Sequence, residues 1–277
     1  MPLPVALQTD GHVTLLKWHR GRRNLADTPF SGSRILEGMA AGASVEIDLQ
    51  IHGEGGMVVL HDPRLEQSTT GLGPVARTPA SGFAGINLRD NDGADSGEPV
   101  MLLDRLTRLI ASRPIGRTAL LQLDFKDRLS DFHDNTLDAF IKAVSPVAGH
   151  MILSGGDAEA VKALSAGIAD LAIGYDPCLY GAMERVLESG DFAGFVENAL
   201  KTAPWASMIY LHVDLILAAD RAGFDMIAAF HAADKTVDAW TIHAIDGTTR
   251  PKIARLLELK ADQITTDDAD RLFEVFG

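Results

Sequence analysis

Carboxylates spaced two residues apart are the first chemical signal in this chain. Glu46 and Asp48 lie within the apolar run 44–49, Ser-Val-Glu-Ile-Asp-Leu, and alternate residues of a strand point to the same face. Two ionised groups on one buried face are costly unless a cation compensates them. Because carboxylate oxygens favour hard ions, the pair predicts a site for one divalent cation, Mg²⁺ or Ca²⁺. The alternative is a pair of buried acids bonded to the backbone or to arginine.

A second run, 121–126, repeats this pattern at the end of another predicted strand. Asp124 and Lys126 share one face of the sequence Leu-Gln-Leu-Asp-Phe-Lys. Asp124 would complete a site of three carboxylates, and Lys126 would bring positive charge to a phosphoryl oxygen. A simple ion pair between the two side chains is the competing interpretation.

Two histidines follow predicted strands and could divide the proton transfers of phosphodiester cleavage. His19 ends the first apolar run and His61 ends a later one, so one could take a proton while the other gives one. Arg20 can bind a phosphate through two parallel hydrogen bonds. Trp240 is expected to line the pocket wall or to pack in the core. The other seven histidines are assigned structural or surface roles, and His52 is expected to be solvated.

Positioning these side chains at one place requires strands that end at a common edge. Short apolar or β-branched runs alternate with segments of helical spacing, which is typical of a parallel α/β fold. Eight such runs predict a (β/α)₈ TIM barrel, whose functional side chains gather at the carboxyl ends of the strands. The predicted strands are 14–18, 44–50, 118–125, 151–154, 171–175, 207–211, 237–242 and 263–266.

Capping signals mark two of the predicted helices most clearly. Asp157 is placed to cap a helix over residues 158–166. Thr248 or Thr249 is placed to cap a later helix that has Pro251 in its first turn.

A ninth apolar run, 57–60, does not fit the alternation of strands and helices. Only the glycine-rich link 52–56 separates it from the strand before it, and such a short link suits an antiparallel hairpin better than a parallel crossover. We therefore expect a flap that carries His61 back over the barrel mouth. Residues 63–100 lack sustained periodicity and are expected to form an inserted loop or small subdomain that caps this mouth.

Composition favours one globular domain over residues 1–277. The chain is 46% hydrophobic and 23% charged, and no linker composition separates two cores. The formal net charge of −13 opposes binding to nucleic acid or to anionic membranes. The lone Cys178, the start without a signal-peptide pattern and the lack of a long apolar run predict a cytoplasmic protein without stable membrane insertion. Its expected partner is a small-molecule substrate, and its oligomeric state is left open.

The order and spacing of these motifs resemble the signature of the glycerophosphodiester phosphodiesterase family. The match is strong over residues 14–75, sparser over 98–126 and 237–277, and reduced to element order over 130–232. The motifs that carry it are His19-Arg20-Gly21, Glu46-Ile47-Asp48, the runs 57–62 and 69–73, 98–102, Leu123-Asp124-Phe125-Lys126, Ala239-Trp240-Thr241-Ile242 and 262–267.

This resemblance implies a metal-dependent hydrolase with a specific division of roles. A divalent cation would lie on Glu46, Asp48 and Asp124, and would act as Lewis acid and template. By the same resemblance, the glycerol 2-hydroxyl attacks phosphorus while an alcohol leaves, and the cyclic phosphate is then hydrolysed to glycerol 3-phosphate. The acid/base pair would be His19 and His61, and the phosphate would be held by Arg20 and Lys126.

The chain departs from the family pattern at three places. Residues 27–30, Asp-Thr-Pro-Phe, stand where the family has Pro-Glu-Asn-Thr, so that loop must be built differently. Asp124 replaces a glutamate, as in the related sphingomyelinase D enzymes, whose disulfide loop is absent here. His243 stands where asparagine is common. These changes bear on the substrate more than on the type of reaction.

Two alternatives to a glycerophosphodiester hydrolase remain at this point. A lysophospholipase D or sphingomyelinase D-like enzyme would use the same residues, but it needs apolar surface near the mouth, for which the insertion offers Phe83, Ile86 and Leu88. A catalytically silent phosphodiester-binding protein would keep the same site residues but would not hydrolyse the substrate.

Overall fold

Eight parallel strands close into a barrel in the computed structural model, which describes residues 3–277. The strands are β1 (Ala6–Thr9), β2 (His12–Trp18), β3 (Ser44–Ile51), β4 (Met57–Val59), β5 (Asn87–Arg89), β6 (Asp95–Pro99), β7 (Leu120–Phe125), β8 (Met151–Gly155), β9 (Ala172–Tyr175), β10 (Met208–His212), β11 (Thr236–Ile242) and β12 (Gln263–Thr266). Around the barrel the parallel strands run in the order β2, β3, β7, β8, β9, β10, β11, β12, and β12 pairs with β2. The predicted TIM barrel is therefore confirmed.

Helices cover the outside of this barrel. They are α1 (Gly32–Ala41), α2 (Leu103–Ala111), α3 (Thr136–Val144), α4 (Ala158–Ser165), α5 (Ala182–Ser189), α6 (Phe192–Thr202), α7 (Val213–Arg221), α8 (Met226–His231), α9 (Arg250–Glu258) and α10 (Ala269–Phe276). Among residues 3–277, no helix has both the length and the apolar character needed to span a membrane.

Period-two alternation separates an apolar outer layer from a polar barrel interior. On β3, Val45, Ile47 and Leu49 are completely buried in the layer between strands and helices. Glu46 and Asp48 alternate with them and line the pocket inside the barrel. This inward direction of the two acids follows the prediction made from their spacing.

The predicted side-chain cap is present at the start of α4 but not at the start of α9. Asp157 Oδ1 accepts hydrogen bonds from the backbone N–H groups of the first turn of α4, as predicted. Thr249 precedes α9, but its side chain forms no capping hydrogen bond. Instead, Asp246 Oδ1 accepts the N–H groups of Thr248 and Thr249 at 2.7 and 3.0 Å. The aspartate takes this role because its carboxylate reaches both amides from the preceding turn.

Two antiparallel hairpins flank the barrel strands. β4 pairs antiparallel with β3, Leu49 opposite Val59, so the predicted flap is confirmed. β1, which the sequence analysis did not anticipate, pairs antiparallel with β2. The turn between them is Asp10-Gly11, with φ values of 48° and 79°, the left-handed conformation that a two-residue hairpin requires.

The insertion over residues 63–100 contains short 3₁₀ turns and the hairpin β5–β6. It packs beside the barrel mouth, where Gly53 N donates to Thr78 O at 2.9 Å. Within the described part of the chain, none of its residues lines the pocket, and the capping of the mouth stays a prediction. The expectation of a solvated His52 is wrong, because the insertion covers that side chain and sets Phe83 5.9 Å from its ring.

A buried ion pair crosses the barrel interior at the pocket, which Lys17 lines. Lys17 Nζ lies 2.9 Å from Asp238 Oδ2, and both side chains are almost completely buried. Lys17 also donates to Gln122, and Thr265 donates to Asp238 Oδ1 at 2.7 Å. Because each charge is compensated by the other, removal of one partner is expected to lower the free energy of unfolding.

Lys17→Met is therefore expected to destabilise the protein by about 3–5 kcal/mol, since it leaves Asp238 buried without its cation. Denaturant unfolding of the purified protein measures the loss. The double variant Lys17→Met/Asp238→Leu should recover most of it, because a pair of apolar side chains can replace a buried ion pair at little cost. A single variant as stable as the parent protein would contradict this assignment.

Candidate active site

Three carboxylates from two adjacent strands meet inside the barrel mouth. β3 carries Glu46 and Asp48, β7 carries Asp124, and the register of the sheet sets Asp48 beside Asp124. One oxygen from each side chain lies within 4.8 Å of the other two. The structure thus brings the three predicted ligand residues to one point.

Two cations lie against these acids. Lys126 Nζ lies 2.7 Å from Asp48 Oδ1 and also contacts Asp124, which realises the ion pair considered as an alternative. Arg20 Nε lies 3.2 Å from Asp48 Oδ2. The three carboxylates and two cations leave one formal negative charge, which a divalent ion would convert into one positive charge. That residual charge would match the single negative charge of a phosphodiester.

Burial and mutual repulsion set the ionisation of the cluster. Burial and the adjacent Asp48 raise the pKa of Glu46 well above its usual range. Burial opposes ionisation of Asp48 too, but Lys126 and Arg20 outweigh it and lower the pKa of Asp48 to about 2. Burial disfavours the charged form of Lys126, yet the surrounding carboxylates raise its pKa well above the ordinary value. Without an added cation, the environment therefore favours the protonated form of Glu46 and the charged form of Lys126.

The donor set fits a hard divalent cation. Asp48 Oδ2 is buried and accepts no hydrogen bond from residues 3–277, because the nearby Arg20 Nε does not point along a suitable direction. A buried carboxylate oxygen without a donor is costly, and an ion beside it would remove that cost. All three side chains offer oxygen, the ligand that Mg²⁺ and Ca²⁺ prefer.

A hydrogen-bonded aspartate orients His19. His19 Nδ1 lies 2.5 Å from Asp267 Oδ1, which leaves Nε2 facing the pocket 3.9 Å from Glu46 Oε2. Asp267 also contacts Arg22 and accepts from His243 Nδ1 at 2.7 Å. Burial lowers the pKa of His19. Burial would raise the pKa of Asp267, but its hydrogen bond to His19 and the charge of Arg22 hold it far below the usual range.

Asp267→Asn is expected to lower kcat by about 10- to 100-fold, because the amide no longer fixes the tautomer and charge of His19. Since Asp267 favours the protonated imidazole, its loss should also move the titration of His19, followed by NMR, to lower pH. Asp262→Asn is a matched control, because Asp262 binds His231 at 2.8 Å outside the pocket. An unchanged kcat and His19 titration in Asp267→Asn would contradict the orienting role.

His61 reaches the same pocket from the end of the flap. Its Nδ1 lies 3.0 Å from Asp62 Oδ1, and its side chain is 41% exposed. His61 and His19 both line the cavity that contains the carboxylates. The structure therefore brings the two predicted imidazoles together at one mouth.

The loop that departs from the family pattern supports Arg20. Arg20 has a left-handed backbone, with φ 54°, and its N–H donates to Glu46 Oε2 at 2.8 Å. Phe30 N donates to Arg20 O at 2.6 Å, and the Phe30 ring lies 5.7 Å from the guanidinium. Asp27 anchors the loop by accepting from Arg34 Nε at 2.8 Å. Residues 27–30 thus fix the backbone that presents Arg20 to the pocket.

All eight predicted site residues line one cavity of about 280 Å³. They are His19, Arg20, Glu46, Asp48, His61, Asp124, Lys126 and Trp240. Trp240 lines the pocket wall, which was one of its two expected positions. It is half-buried, and its Nε1 is buried without a hydrogen-bond partner in the described part of the chain.

Other side chains in or beside this cavity were not predicted. His243 was assigned a structural or surface role; its side chain is exposed, and it lines the pocket and binds Asp267, which β12 delivers to the mouth. His212 also lines the pocket. Two more residues, Lys17 and Asp267, could have been predicted from period-two spacing. Lys17 shares a strand face with His19, and Asp267 shares one with Gln263 and Thr265.

Comparison with known proteins adds information on the fold. No protein-family model matches the chain, and no curated protein sequence matches it. Solved structures match over nearly the whole length. A phosphodiesterase from Oleispira antarctica, solved with the product sn-glycerol-3-phosphate, has a TM-score of 0.64 at 17% identity and covers 94% of this chain and 95% of its own. The chain has the fold of a phosphodiesterase structure.

Two further structures carry a more specific name. A glycerophosphodiester phosphodiesterase from Thermotoga maritima has a TM-score of 0.64 at 15% identity and covers 95% of this chain and 98% of its own. Another from Agrobacterium tumefaciens has a TM-score of 0.61 at 18% identity, with the same two coverages. At these identities the likeness shows a shared fold, and the chemistry has to be argued from the residues.

Proposed function

We propose that this protein hydrolyses glycerophosphodiesters to glycerol 3-phosphate and an alcohol, with one divalent cation, Mg²⁺ or Ca²⁺. The observation that carries the proposal is the meeting of Glu46, Asp48 and Asp124 within 4.8 Å, in a cavity that also holds His19 and His61. The fold shared with glycerophosphodiester phosphodiesterase structures supports the same reaction class.

Charge complementarity supports a phosphodiester as the substrate. Arg20 and Lys126 both line the cavity, and each already contacts the Asp48 carboxylate. With a divalent cation bound, the three carboxylates, Arg20, Lys126 and the ion together would carry a net positive charge. This charge would attract a phosphate oxygen. The cation would supply Lewis-acid polarisation of the phosphoryl group and hold it in place. Arg20 and Lys126 would then stabilise the charge that develops on its oxygens.

The two imidazoles support general acid and base catalysis. His19 Nε2 faces the cavity because Asp267 holds Nδ1, so Nε2 is available for a proton transfer. His61 approaches from the flap and is half exposed, which suits exchange of a proton with solvent. We assign one of them to the attacking hydroxyl and the other to the oxygen of the departing alcohol, so that no unstable alkoxide has to leave. Trp240 would contact the substrate as part of the wall.

The insertion does not expose the three apolar side chains that a lysophospholipid-binding surface was expected to use. Of its three apolar candidates for a lipid-facing surface, Phe83 and Leu88 are buried and Ile86 packs against the core. They are thus engaged with the protein itself.

A cytoplasmic location and a single domain over residues 1–277 stay predictions.

A turnover assay with and without EDTA tests the proposal. Glycerophosphocholine should yield glycerol 3-phosphate, measured with a coupled dehydrogenase, and EDTA should abolish the product until Mg²⁺ or Ca²⁺ is restored. Faster hydrolysis of lysophosphatidylcholine would favour the lipid-active alternative. Binding of glycerophosphocholine by calorimetry, without release of product under either ion, would identify a silent binding protein and refute the proposal.

A further inference from the structure

Asp124 is held at both of its carboxylate oxygens by other side chains. Lys126 Nζ contacts Oδ2, and Ser154 Oγ donates to Oδ1 at 3.1 Å. The second bond follows from the sheet, since β7 and β8 run parallel with Asp124 beside Ser154. Ser154 is completely buried, so bulk water does not compete for its hydroxyl. This serine has no part in the chemistry described so far.

Gln122 directs the hydroxyl proton of Ser154 toward Asp124. Gln122 Nε2 donates to Ser154 Oγ at 2.8 Å, and a hydroxyl has a single hydrogen to donate. Because the serine oxygen already accepts from the amide, its hydrogen is free for Asp124 Oδ1, a carboxylate oxygen that can only accept. Both bonds are satisfied only if the amide nitrogen, rather than the amide oxygen, faces Ser154.

Lys17 fixes the orientation of that amide. Its ammonium group donates to Gln122 Oε1, and an ammonium has donors but no acceptor. A reversed amide would set its NH₂ group against the ammonium and would offer Ser154 an acceptor, which would draw the hydroxyl proton away from Asp124. The orientation of a side-chain amide is decided by its hydrogen-bond partners, and here a charged neighbour decides it.

The lysine is itself held in place from several sides. It is 1% exposed, pairs with Asp238 Oδ2 at 2.9 Å and lies over the Tyr210 ring at 4.5 Å. Asp238 accepts in turn from Gln263 Nε2 at 2.5 Å and from Thr265 Oγ1 at 2.7 Å. The buried ion pair thus forms the fixed end of a hydrogen-bond chain in which every donor points toward the carboxylate cluster.

We propose that Lys17, Gln122 and Ser154 are positioning residues that hold Asp124 in the orientation in which it binds the divalent cation. Their role rests on the cation site of the proposed function and extends that site to a chain of residues behind it. Aspartate has a short side chain, and Lys126 would otherwise draw both carboxylate oxygens toward itself. The bond from Ser154 opposes that rotation. Because a carboxylate oxygen has two lone pairs, Oδ1 can accept from Ser154 and still face an ion.

Ser154→Ala is expected to weaken ion binding at least about tenfold, the usual loss when a group that orients a metal ligand is removed. Mg²⁺ should be affected more than Ca²⁺, because Mg²⁺ requires near-octahedral geometry whereas Ca²⁺ accepts irregular coordination. Calorimetric titration measures the affinity for each ion, and thermal unfolding of the ion-free proteins measures stability separately.

Ser44→Ala is the matched control for this variant. Ser44 is a buried serine of β3 that does not line the cavity, and its hydroxyl has no hydrogen-bond partner within residues 3–277. Both ion affinities should therefore stay at the parent values.

The double variant Lys17→Met/Asp238→Leu tests the fixed end of the chain. It removes one positive and one negative charge, so the net charge around the ion is unchanged. The amide of Gln122 nevertheless loses the contact that fixes its orientation. The affinity for Mg²⁺ should fall about threefold or more, as is common for changes transmitted through a connected polar network. An affinity equal to that of the parent protein would overturn the role of Lys17.

Turnover measurements separate this positioning role from the proposed reaction. Equal Mg²⁺ affinity in Ser154→Ala and the parent protein, with glycerophosphocholine hydrolysed by both, would overturn the positioning role and keep the function. An equal loss for both ions, together with a lower Tm of the ion-free variant, would indicate a general loss of structure and would also overturn it. Ion binding that depends on Ser154, without hydrolysis of any glycerophosphodiester, would keep the positioning role and refute the function.

Discussion

Replacement of His61 by alanine is expected to reduce kcat by about 10²- to 10⁴-fold, the range lost when a positioned acid or base is removed. The side chain lines the cavity from the flap, and among residues 3–277 its hydrogen-bond partner is Asp62 only, so its removal leaves the carboxylate cluster intact. Binding of Mg²⁺ or Ca²⁺ should therefore stay nearly unchanged. Steady-state kinetics and calorimetric titration of the ion measure the two effects separately.

His133→Ala is the matched control for this variant. His133 is an exposed histidine that does not line the cavity, so its loss should leave kcat at the parent value. Loss of ion affinity in His61→Ala would show that the imidazole is a ligand and that its assigned role is wrong. A kcat within about threefold of the parent would show that proton transfer is handled elsewhere.

Much of this barrel could be predicted because its strands and helices differ in periodicity. Apolar alternation identified β3 and β7, and the short glycine-rich link identified β4 as antiparallel. Loop length carries that kind of information, since a parallel neighbour needs a longer crossover. The hairpin β1–β2 was missed even though Asp10-Gly11 is a strong turn signal. Its first strand is short, and only its pairing with β2 makes it recognisable.

The candidate site was partly predictable because strand ends gather at one face of a parallel barrel. That rule places Glu46, Asp48 and Asp124 together without coordinates, since all three occupy inward positions near strand ends. It gives no information on which side chains bond to each other. The bond from Asp267 to His19 spans 248 residues and depends on the closure of β12 against β2. Asp176 also lines the pocket and directly follows the predicted strand 171–175, so the same rule could have found it.

The error at His52 has a different physical origin. A glycine-rich hairpin link is normally exposed, so a histidine within it is expected to be solvated. Here the insertion returns and buries the link through backbone contacts such as Gly53 N to Thr78 O. Local sequence does not reveal such a cover, because the covering residues 74–83 have no periodic pattern of their own.

Glu46→Gln is expected to weaken binding of the divalent ion by at least about 10²-fold and to lower turnover accordingly, since loss of a group that only orients a ligand already costs 10- to 100-fold. The amide keeps the size of the side chain and can still accept from Arg20 N, the bond seen at 2.8 Å. The fold should therefore persist. Glu197→Gln is the matched control, because Glu197 is exposed on α6 outside the cavity.

Proton competition gives this prediction a pH dependence with a definite sign. The pKa of Glu46 is raised in the folded protein by burial and by Asp48, so a proton competes with the ion for this carboxylate, and the affinity for the ion should fall as pH falls. Without the ion, the stability that this bound proton contributes is present at low pH and is lost as pH rises through the raised pKa. The increase in Tm caused by Mg²⁺ or Ca²⁺ should thus grow with pH, and calorimetry in buffers of different ionisation enthalpy should detect proton release on binding. In Glu46→Gln this release should disappear, whereas an equal release in both proteins would assign the displaced proton to another group.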